Sequence, residues 1–331
     1  MRGFDLRRTV FRISPGLFWG CLAALLLVGA SSCHLHCDGS LEVVSVTRAG
    51  VAYAVELDGN AAYVTNNDGV LIFDIRDPGN PALIGEAPTG VTFDISVRNG
   101  LAFVVGEDGF SIVDVSDPTH PRVVSTYNLE GIGWAVRIDG STAVVGTNEG
   151  LEVLDVTNLG APRRVGFLDL DGDVMGLALR EGLGFIGGYF QGLRVIDLRA
   201  PADPRQVAAL GAISGAESLD LHGDTLFIAS HHHGIRIVDV ADPLEPRLLG
   251  EFVDDDGGEA LALTAQGTDL FVADNFQIEW IDVGDPSRAF QIGECGRTNG
   301  AHDIEFDGSL VYVAEGTRGL IVLRPTEGAG R

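Results

Sequence analysis

The stretch GVLIFDIRDPGNP (residues 69–81) joins a short apolar run to an aspartate and a proline-bounded turn, and it recurs along the chain. Each copy has an apolar core of four or five residues, and most then carry Asp and a turn that ends in Pro. The copies are spaced 40 to 43 residues apart, and a fixed period in this range is typical of solenoids, propellers and arrays. The other six copies are GFSIVDVSDPTHP (109–121), GLEVLDVTNLGAP (150–162), GLRVIDLRAPADP (192–204), GIRIVDVADPLEP (234–246), IEWIDVGDPSRA (278–289) and GLIVLRP (319–325).

Each repeat contains four strand-like runs separated by turn residues. In the first repeat these runs are AVELDG, AAYVTN, GVLIFDI and ALIGEAP, which we label strands a, b, c and d. Val, Ile, Phe and Tyr favour strands, whereas NNDG and the Asp-Pro turn punctuate them. Four strands in each of seven repeats predict an all-β fold, a seven-bladed β-propeller.

The two ends of the repeat region predict how the ring closes. LEVVSVT (residues 41–47) is a strand d with no preceding a, b or c, and the last repeat has a, b and c but no d. We therefore expect residues 41–47 to complete the last blade beside residues 320–323, because an unpaired sheet edge is a liability. The propeller then covers residues 41–324, and residues 325–331 form a tail.

The repeats LRVIDL, IRIVDVADP and FSIVDVSDP resemble the LVIVD repeat family of bacterial secreted and surface proteins. The resemblance covers all seven copies, although the sixth lacks the turn glycine and the seventh lacks the aspartate. It implies a propeller that is often exported, with no reaction common to the family.

The first 32 residues have the layout of a secretory signal peptide. A basic start is followed by the apolar run LFWGCLAALLLVGA (residues 17–30), which is short for a membrane span. Ala30-Ser31-Ser32-Cys33 resembles a bacterial lipobox, so we expect Cys33 to be lipidated and residues 33–40 to be a tether. The expected location is the outer membrane or cell surface, with the membrane as a partner through this lipid. The alternative is cleavage by ordinary signal peptidase and a soluble secreted or periplasmic protein.

The two cysteines that remain, Cys37 and Cys295, share an oxidising compartment if the chain is exported. Cys37 precedes one strand d and Cys295 ends another, which puts them about 20 Å apart for a seven-residue strand. The repeat register therefore argues against a disulfide, unless the segment before Leu41 folds back.

Composition excludes several kinds of chemistry. All 22 basic residues are arginine, so no lysine nucleophile or Schiff base is available. The formal net charge of −25 argues against nucleic acid as a partner. No nucleophile triad, phosphate loop or dinucleotide motif is present.

The aspartate that recurs in strand c is expected to be structural. A residue present in nearly every blade builds the scaffold, and a carboxylate before a turn accepts backbone N–H bonds. The column comprises Asp74, Asp114, Asp155, Asp197, Asp239 and Asp282.

Residues that break the repeat are better candidates for binding. In a propeller the b–c turns and d–a loops share one face. In blades four to six the b–c turns carry aromatic and imidazole side chains, which often mark a binding surface. The alternative is that these rings pack on adjacent loops. The predicted ligand-binding residues are Tyr189, Phe190, His231, His232, His233 and Phe276.

Acidic d–a loops lie on the same face of the predicted propeller. Alternating carboxylates can wrap Ca²⁺, although the spacing lacks the later glutamate of an EF-hand, and solvated loop acids are the alternative. The acids are Asp169, Asp171, Asp173, Asp254, Asp255, Asp256 and Glu259.

One position in strand a changes character around the ring. Tyr53, Phe93, Trp134 and Met175 are bulky, whereas we align Glu217, Glu259 and His302 at the same place in blades five to seven. A histidine and two carboxylates are a ligand set for Zn²⁺ or another divalent ion. The alternative is three separately hydrogen-bonded polar residues in a wet channel.

These features lead to three functional hypotheses. The first is a non-enzymatic, lipid-anchored propeller that binds an envelope protein, a glycan or a small ligand on the face of blades four to seven. The second is a metal-dependent hydrolase or lactonase-like enzyme with an ion at the channel mouth, and the third is a purely structural role in an envelope complex.

Overall fold

The computed structural model describes residues 35–189, 192–211, 213, 215–253 and 259–326. Within these residues the strands form seven antiparallel sheets arranged in a ring, which confirms the predicted seven-bladed β-propeller. The described chain also contains a 3₁₀ helix at Pro286–Arg288. A search of the same residues for a helix long and apolar enough to cross a membrane finds none.

The first four blades each contain four consecutive strands, ordered a to d from the channel outward. Blade one comprises β3 (Val55–Asp58), β4 (Ala61–Thr65), β5 (Val70–Asp74) and β6 (Ala82–Ala87); blade two, β7 (Thr92–Arg98), β8 (Leu101–Gly106), β9 (Gly109–Asp114) and β10 (Arg122–Tyr127); blade three, β11 (Gly133–Asp139), β12 (Thr142–Thr147), β13 (Gly150–Asp155) and β14 (Arg163–Asp169); blade four, β15 (Gly176–Arg180), β16 (Leu183–Gly187), β17 (Leu193–Asp197) and β18 (Arg205–Leu210).

Blade five has the same arrangement as the first four, whereas blades six and seven each receive an outer strand from the beginning of the described chain. Blade five comprises β19 (Ser218–His222), β20 (Thr225–Ala229), β21 (Ile235–Asp239) and β22 (Arg247–Phe252); blade six, β23 (Ala260–Gln266), β24 (Asp269–Asp274), β25 (Gln277–Asp282), β26 (Phe290–Gly296) and, outermost, β1 (His36–Cys37); blade seven, β27 (Ala301–Phe306), β28 (Val311–Glu315), β29 (Gly319–Pro325) and β2 (Leu41–Thr47).

The hydrophobic core is divided among the contacts between neighbouring blades. Seven clusters of buried residues are found, and each joins two adjacent sheets. Phe73 and Val64 of blade one, for example, pack with Tyr312 and Val322 of blade seven. Because both faces of each sheet are covered, strands b and c are apolar at nearly every position.

The last blade closes as the sequence predicts. Strand β2 pairs with β29 in antiparallel register, with Val46 opposite Ile321 and Leu41 opposite Pro325. The sheet of blade seven therefore contains one strand from the beginning of the repeat region and three from its end. Unfolding this blade separates the two ends of the ring.

The repeated aspartates cap the turns that follow strand c. In every one of the six blades that carry this aspartate, its Oδ1 accepts the backbone N–H two residues later, at 2.8 to 3.1 Å. This confirms the structural interpretation of the column. A short polar side chain that bonds its own backbone in this way stabilises the turn.

The expectation of two separated cysteines is wrong, because Cys37 and Cys295 form a disulfide with their Cα atoms 4.0 Å apart. The segment before β2 reverses along the outer edge of blade six, and β1 pairs with β26 with Cys37 opposite Cys295. Residues 35–40 are therefore docked on the propeller, where the sequence predicted a tether. Ser40 is buried in this crossing, and it lies so close to Gly293 that a Cβ atom there would collide with its hydroxyl.

Carboxylates from one blade complete the backbone hydrogen bonding of the next. Strand a is the inner edge of each sheet, so part of its backbone lacks a strand partner. Asp94 accepts the N–H of Val136 at 2.7 Å, and Asp303 accepts that of Val55 at 2.9 Å. Asp220 accepts the N–H of Ala265 at 2.7 Å.

The channel lumen is consequently rich in acid. Six charged side chains meet there, and we call them the lumen cluster. Five carboxyl groups surround the guanidinium of Arg137, which pairs with Asp94 at 2.8 Å. Enclosure raises the pKa of several of these acids, because burial disfavours a charged carboxylate and neighbouring acids add to the effect. The pKa of Glu56 and that of Asp303 both rise to about 7, and the pKa of Glu305 rises well above its usual range. The members are Glu56, Asp94, Arg137, Asp220, Asp303 and Glu305.

We expect Cys37→Ser to lower the free energy of unfolding. The disulfide joins positions 258 residues apart, and closing so long a loop contributes up to about 5 kcal/mol in the chain-entropy description. The measurement is thermal and denaturant unfolding of the wild type and the variant, each with and without a reductant. Reductant should lower the wild-type midpoint to that of the variant and leave the variant unchanged, and equal midpoints in all four samples would contradict the prediction.

We expect the lumen cluster to make the protein less stable as the pH rises. Between about pH 4 and pH 7 the folded protein keeps protons on Glu56 and Asp303 that the unfolded chain releases, so the free energy of unfolding falls across this window. Glu305→Gln should raise that free energy at pH 8, because glutamine removes the cost of a buried charge, and change it little at pH 4.5. The control is Glu86→Gln on the exposed side of β6.

Chemical denaturation of both variants at the two pH values checks this expectation. A loss of stability in Glu305→Gln at pH 8 would show instead that the carboxylate is ionised and paired with Arg137.

Candidate functional site

One residue at the start of strand a lies at the channel mouth in each blade, and in four blades it sits in a β-bulge. The pairing of strands a and b shifts register around Phe93, Trp134, Leu261 and His302, so each of these residues is unpaired in its ladder. Such bulges redirect a side chain. The remaining blades present Tyr53, Met175 and Glu217, whose N–H groups bond to strand b at 2.9 to 3.0 Å.

This register corrects the alignment of Glu259. Leu261 occupies the mouth position in blade six, and Glu259 precedes it by two residues, at the end of the d–a loop. The two glutamates look equivalent in the sequence because each is followed by a small residue, Ser218 or Ala260. Only the pairing of β23 with β24 distinguishes the two positions.

Half of the mouth is lined by rings in contact with one another, which we call the aromatic arc: His302, Tyr53, Phe93 and Trp134. Ring centroids lie 5.8 Å apart for Tyr53 and His302, 5.2 Å for Tyr53 and Phe93, and 4.9 Å for Phe93 and Trp134. Burial lowers the pKa of His302. The structure thus places His302 on this arc, beside Tyr53.

The other predicted residues converge in a second group, the imidazole–carboxylate cluster, formed by Glu217, His231, His232 and Glu259. Nε2 of His231 lies 3.4 Å from Oε2 of Glu259 and 3.6 Å from Oε1 of Glu217. Nε2 of His232 lies 3.1 Å from Oε1 of Glu259. The cluster therefore combines members of two sets that the sequence treated separately, the rim histidines and the strand-a acids.

The backbone around His231 holds blades five and six together at this point. Its N–H donates to the carbonyl of Ala260 at 3.1 Å, and the N–H of Ala260 donates back at 3.3 Å. His231 has φ of +47°, a left-handed conformation that is uncommon outside glycine. Asn275 from the next b–c turn donates a side-chain hydrogen bond to Glu259.

Burial tunes the charge of this cluster. The pKa of Glu217 is raised to about 8, first by desolvation and then by the charge of Glu259. Desolvation also lowers the pKa of His231, although Glu259 opposes that effect. A neutral imidazole beside carboxylates can accept a hydrogen bond from a polar ligand or coordinate a metal ion.

The rim residues differ in exposure. Phe276 is 63% exposed and Tyr189 is 37% exposed, and the ring of Tyr189 meets His231 edge-on at 5.3 Å. His232 and His233 are exposed, whereas the side chain of His231 keeps only 13% of its surface. His231 therefore packs between loops, as the alternative prediction has it, while Phe276 and His232 face solvent. Phe190 lies outside the described residues.

Of the acidic d–a loops, the described residues contribute Glu259 to the cluster. Among these residues the group of three metal-type donors that converges is His231, His232 and Glu259, and the aspartates of blade four are not part of such a group. Asp171 is exposed, and burial raises the pKa of Asp173. Residues 254–256 lie outside the described part of the chain.

The lumen cluster was not anticipated from the sequence. Its members sit one or three positions after the mouth residue, and they occur in only some blades, so no column of identical residues marks them. The signal was present as an acidic or basic side chain at an inward position of strand a, as in Glu56, Arg137 and Glu305.

Comparisons with known proteins agree with this architecture. The sequence profile of the LVIVD repeat matches residues 49–89, 89–129 and 215–254, which correspond to blades one, two and five. No curated protein matches the chain in sequence. Two solved structures are similar in fold, and their sequence identities are so low that the similarity concerns the fold alone. The β-propeller domain of Myceliophteria thermophila Cps50 (Swd1) shares 15% identity at a TM-score of 0.71, covering 86% of this chain and 99% of that one; the computationally designed Ika8 protein shares 10% at 0.62, covering 86% and 98%.

The same turn chemistry and strand order extend beyond the three blades that match the profile. The Asp that caps its own turn is present in six blades, and all seven blades follow the same a-to-d order. Together, the profile matches show LVIVD repeats in blades one, two and five, and the ring shows that the chain is a seven-bladed β-propeller.

Proposed function

We propose that the protein is an exported, lipid-anchored propeller that binds an envelope protein, a glycan or a small ligand through the face of blades four to seven. The observation that carries this proposal is the exposed ring of Phe276, which lies on the same face as Tyr189 and the imidazole–carboxylate cluster. Large exposed rings beside polar groups are typical of recognition surfaces.

The channel mouth adds a second kind of surface to this face. The aromatic arc offers stacked rings, and the imidazole–carboxylate cluster offers hydrogen-bond donors and acceptors. A ligand with an apolar side and a polar side meets both requirements, since pockets commonly combine apolar walls with a few polar groups that orient the ligand.

Export and anchoring are supported by the signal-like segment and by the cysteines. Cys33 precedes Cys37 by four residues, so an anchor at Cys33 lies close in the sequence to the segment that is docked on blade six. The disulfide at Cys37 is itself typical of an oxidising compartment. A docked segment in place of a long tether limits how far the propeller moves from the membrane.

The anchor predicts a defined N-terminus. The chain extracted from membranes of the producing cell should begin at Cys33 and carry diacylglycerol, and Cys33→Ala should leave the membrane fraction. Intact-mass measurement and fractionation check both points. An unmodified N-terminus at Cys33 would support soluble export and contradict the anchor.

The binding face predicts site-selective cross-linking. A photoreactive phenylalanine analogue at position 276 should form a discrete adduct in intact cells. The matched control is position 244, because Leu244 is 60% exposed but lies in the c–d turn of blade five, on the opposite face. Adducts are measured by gel shift and intact mass, and equal labelling at the two positions, or none at 276, would count against the proposed face.

A further inference from the structure

We propose that His231, His232, Glu259 and Glu217 form a binding site for a divalent transition-metal ion at the contact between blades five and six. The donor atoms of His231, His232 and Glu259 lie within 4.8 Å of one another. Two imidazoles and a carboxylate are a recurrent ligand set for zinc in proteins, and Glu217 adds a fourth group. The inference goes beyond the proposed binding role, because the ion is held by this chain alone.

The spacing of the donor groups is close to that of tetrahedral coordination. Bonds of 2.0 to 2.1 Å to zinc place neighbouring ligand atoms about 3.3 Å apart. Nε2 of His231 lies 3.4 Å from Oε2 of Glu259 and 3.6 Å from Oε1 of Glu217, whereas Nε2 of His232 lies 3.1 Å from the other Glu259 oxygen, Oε1. Rotation of the Glu259 carboxylate brings one oxygen towards both imidazoles, so an ion can enter with side-chain movements.

The fold fixes these ligands before an ion arrives. The paired hydrogen bonds between His231 and Ala260 hold the histidine turn of blade five against the beginning of β23. Asn275 orients the carboxylate of Glu259 by a hydrogen bond, as outer partners of metal ligands commonly do. Glu217 and His231 are each only 13% exposed, so their positions are set by packing.

The local charge also favours a cation. Glu217 and Glu259 both lie within 3.6 Å of Nε2 of His231, and the ion pairs described for them are with imidazoles only. No guanidinium is found in these pairs within the described chain, in contrast to the lumen cluster with Arg137. A divalent ion supplies the missing positive charge without a side chain.

The donor types select the class of ion. Imidazole nitrogen favours Zn²⁺, Cu²⁺ and Ni²⁺, whereas Ca²⁺ prefers six to eight oxygen ligands. Nδ1 of His231 is buried without a hydrogen-bond partner, so this ligand lacks the usual outer acceptor. Loss of such an acceptor typically weakens binding 10- to 100-fold, and we expect affinity below that of structural zinc sites by about that factor.

The test is a titration of the purified, chelator-treated protein with ZnCl₂, followed by calorimetry and zinc X-ray absorption. We expect one ion per chain with nitrogen and oxygen ligands, no competition from Ca²⁺, and at least about tenfold weaker binding in His232→Gln and Glu259→Gln. His232 is exposed, so its variant should fold, which circular dichroism verifies. The control is His120→Gln, which removes an exposed histidine 3.1 Å from Asp117 on the opposite face.

Absence of bound zinc, sulfur ligands, competition by Ca²⁺, or unchanged affinity in both site variants would overturn the metal site. The outcomes are separable from those of the binding face. A zinc-free protein that still cross-links at position 276 contradicts only the metal site, and a zinc-bound protein without an adduct there contradicts only the proposed binding role.

Discussion

The structure depends on the pairing of β2 with β29. Each blade buries both faces of its sheet against two neighbours, so an open ring would expose a full apolar face at each end. The pairing of residues 41–47 with residues 319–325 completes the last sheet and makes separation of the two ends cooperative with its unfolding. The disulfide from Cys37 to Cys295 then attaches the preceding residues to blade six, so residues 36–47 are held by two adjacent blades.

Closure also explains the distribution of polar residues. The ring leaves a central channel whose wall is the inner edge of seven sheets, and Asp94, Asp220 and Asp303 bond backbone groups of the following blade there. These carboxylates are scaffold, although they look like a ligand set. The imidazole–carboxylate cluster differs because its side chains contact each other across a blade boundary, and no such backbone bond is found for them in the described part of the chain. Repeated or backbone-bonded acids therefore stabilise the ring, and convergent unrepeated groups are the candidates for binding.

Residues 69–81 show how much of the fold could be predicted from the sequence. The alternation of apolar run, aspartate and proline turn depends on local chemistry, so strand order, turn caps and blade number followed from it. Glu259 shows where this reading ends, since a two-residue shift in a bulged strand is invisible to the repeat. Cys37 shows a second limit of sequence-based prediction. Residues 33–40 lie outside the repeat, so the repeat predicts no strand register for them. The meeting of His231 with Glu259 required knowledge of which turn lies beside which loop.

Sequence patterns alone predict the class of fold, the number of blades, the strand that closes the ring and the structural role of the aspartates. These features depend on periodicity and on contacts between residues close in the sequence, and both can be recognised from the order of the residues. The disulfide, the lumen cluster and the grouping of Glu217, His231, His232 and Glu259 are visible only in the three-dimensional arrangement of the blades. Those depend on distances between blades, where bulges, burial and the shared inner edge bring together residues that the repeat keeps about forty positions apart.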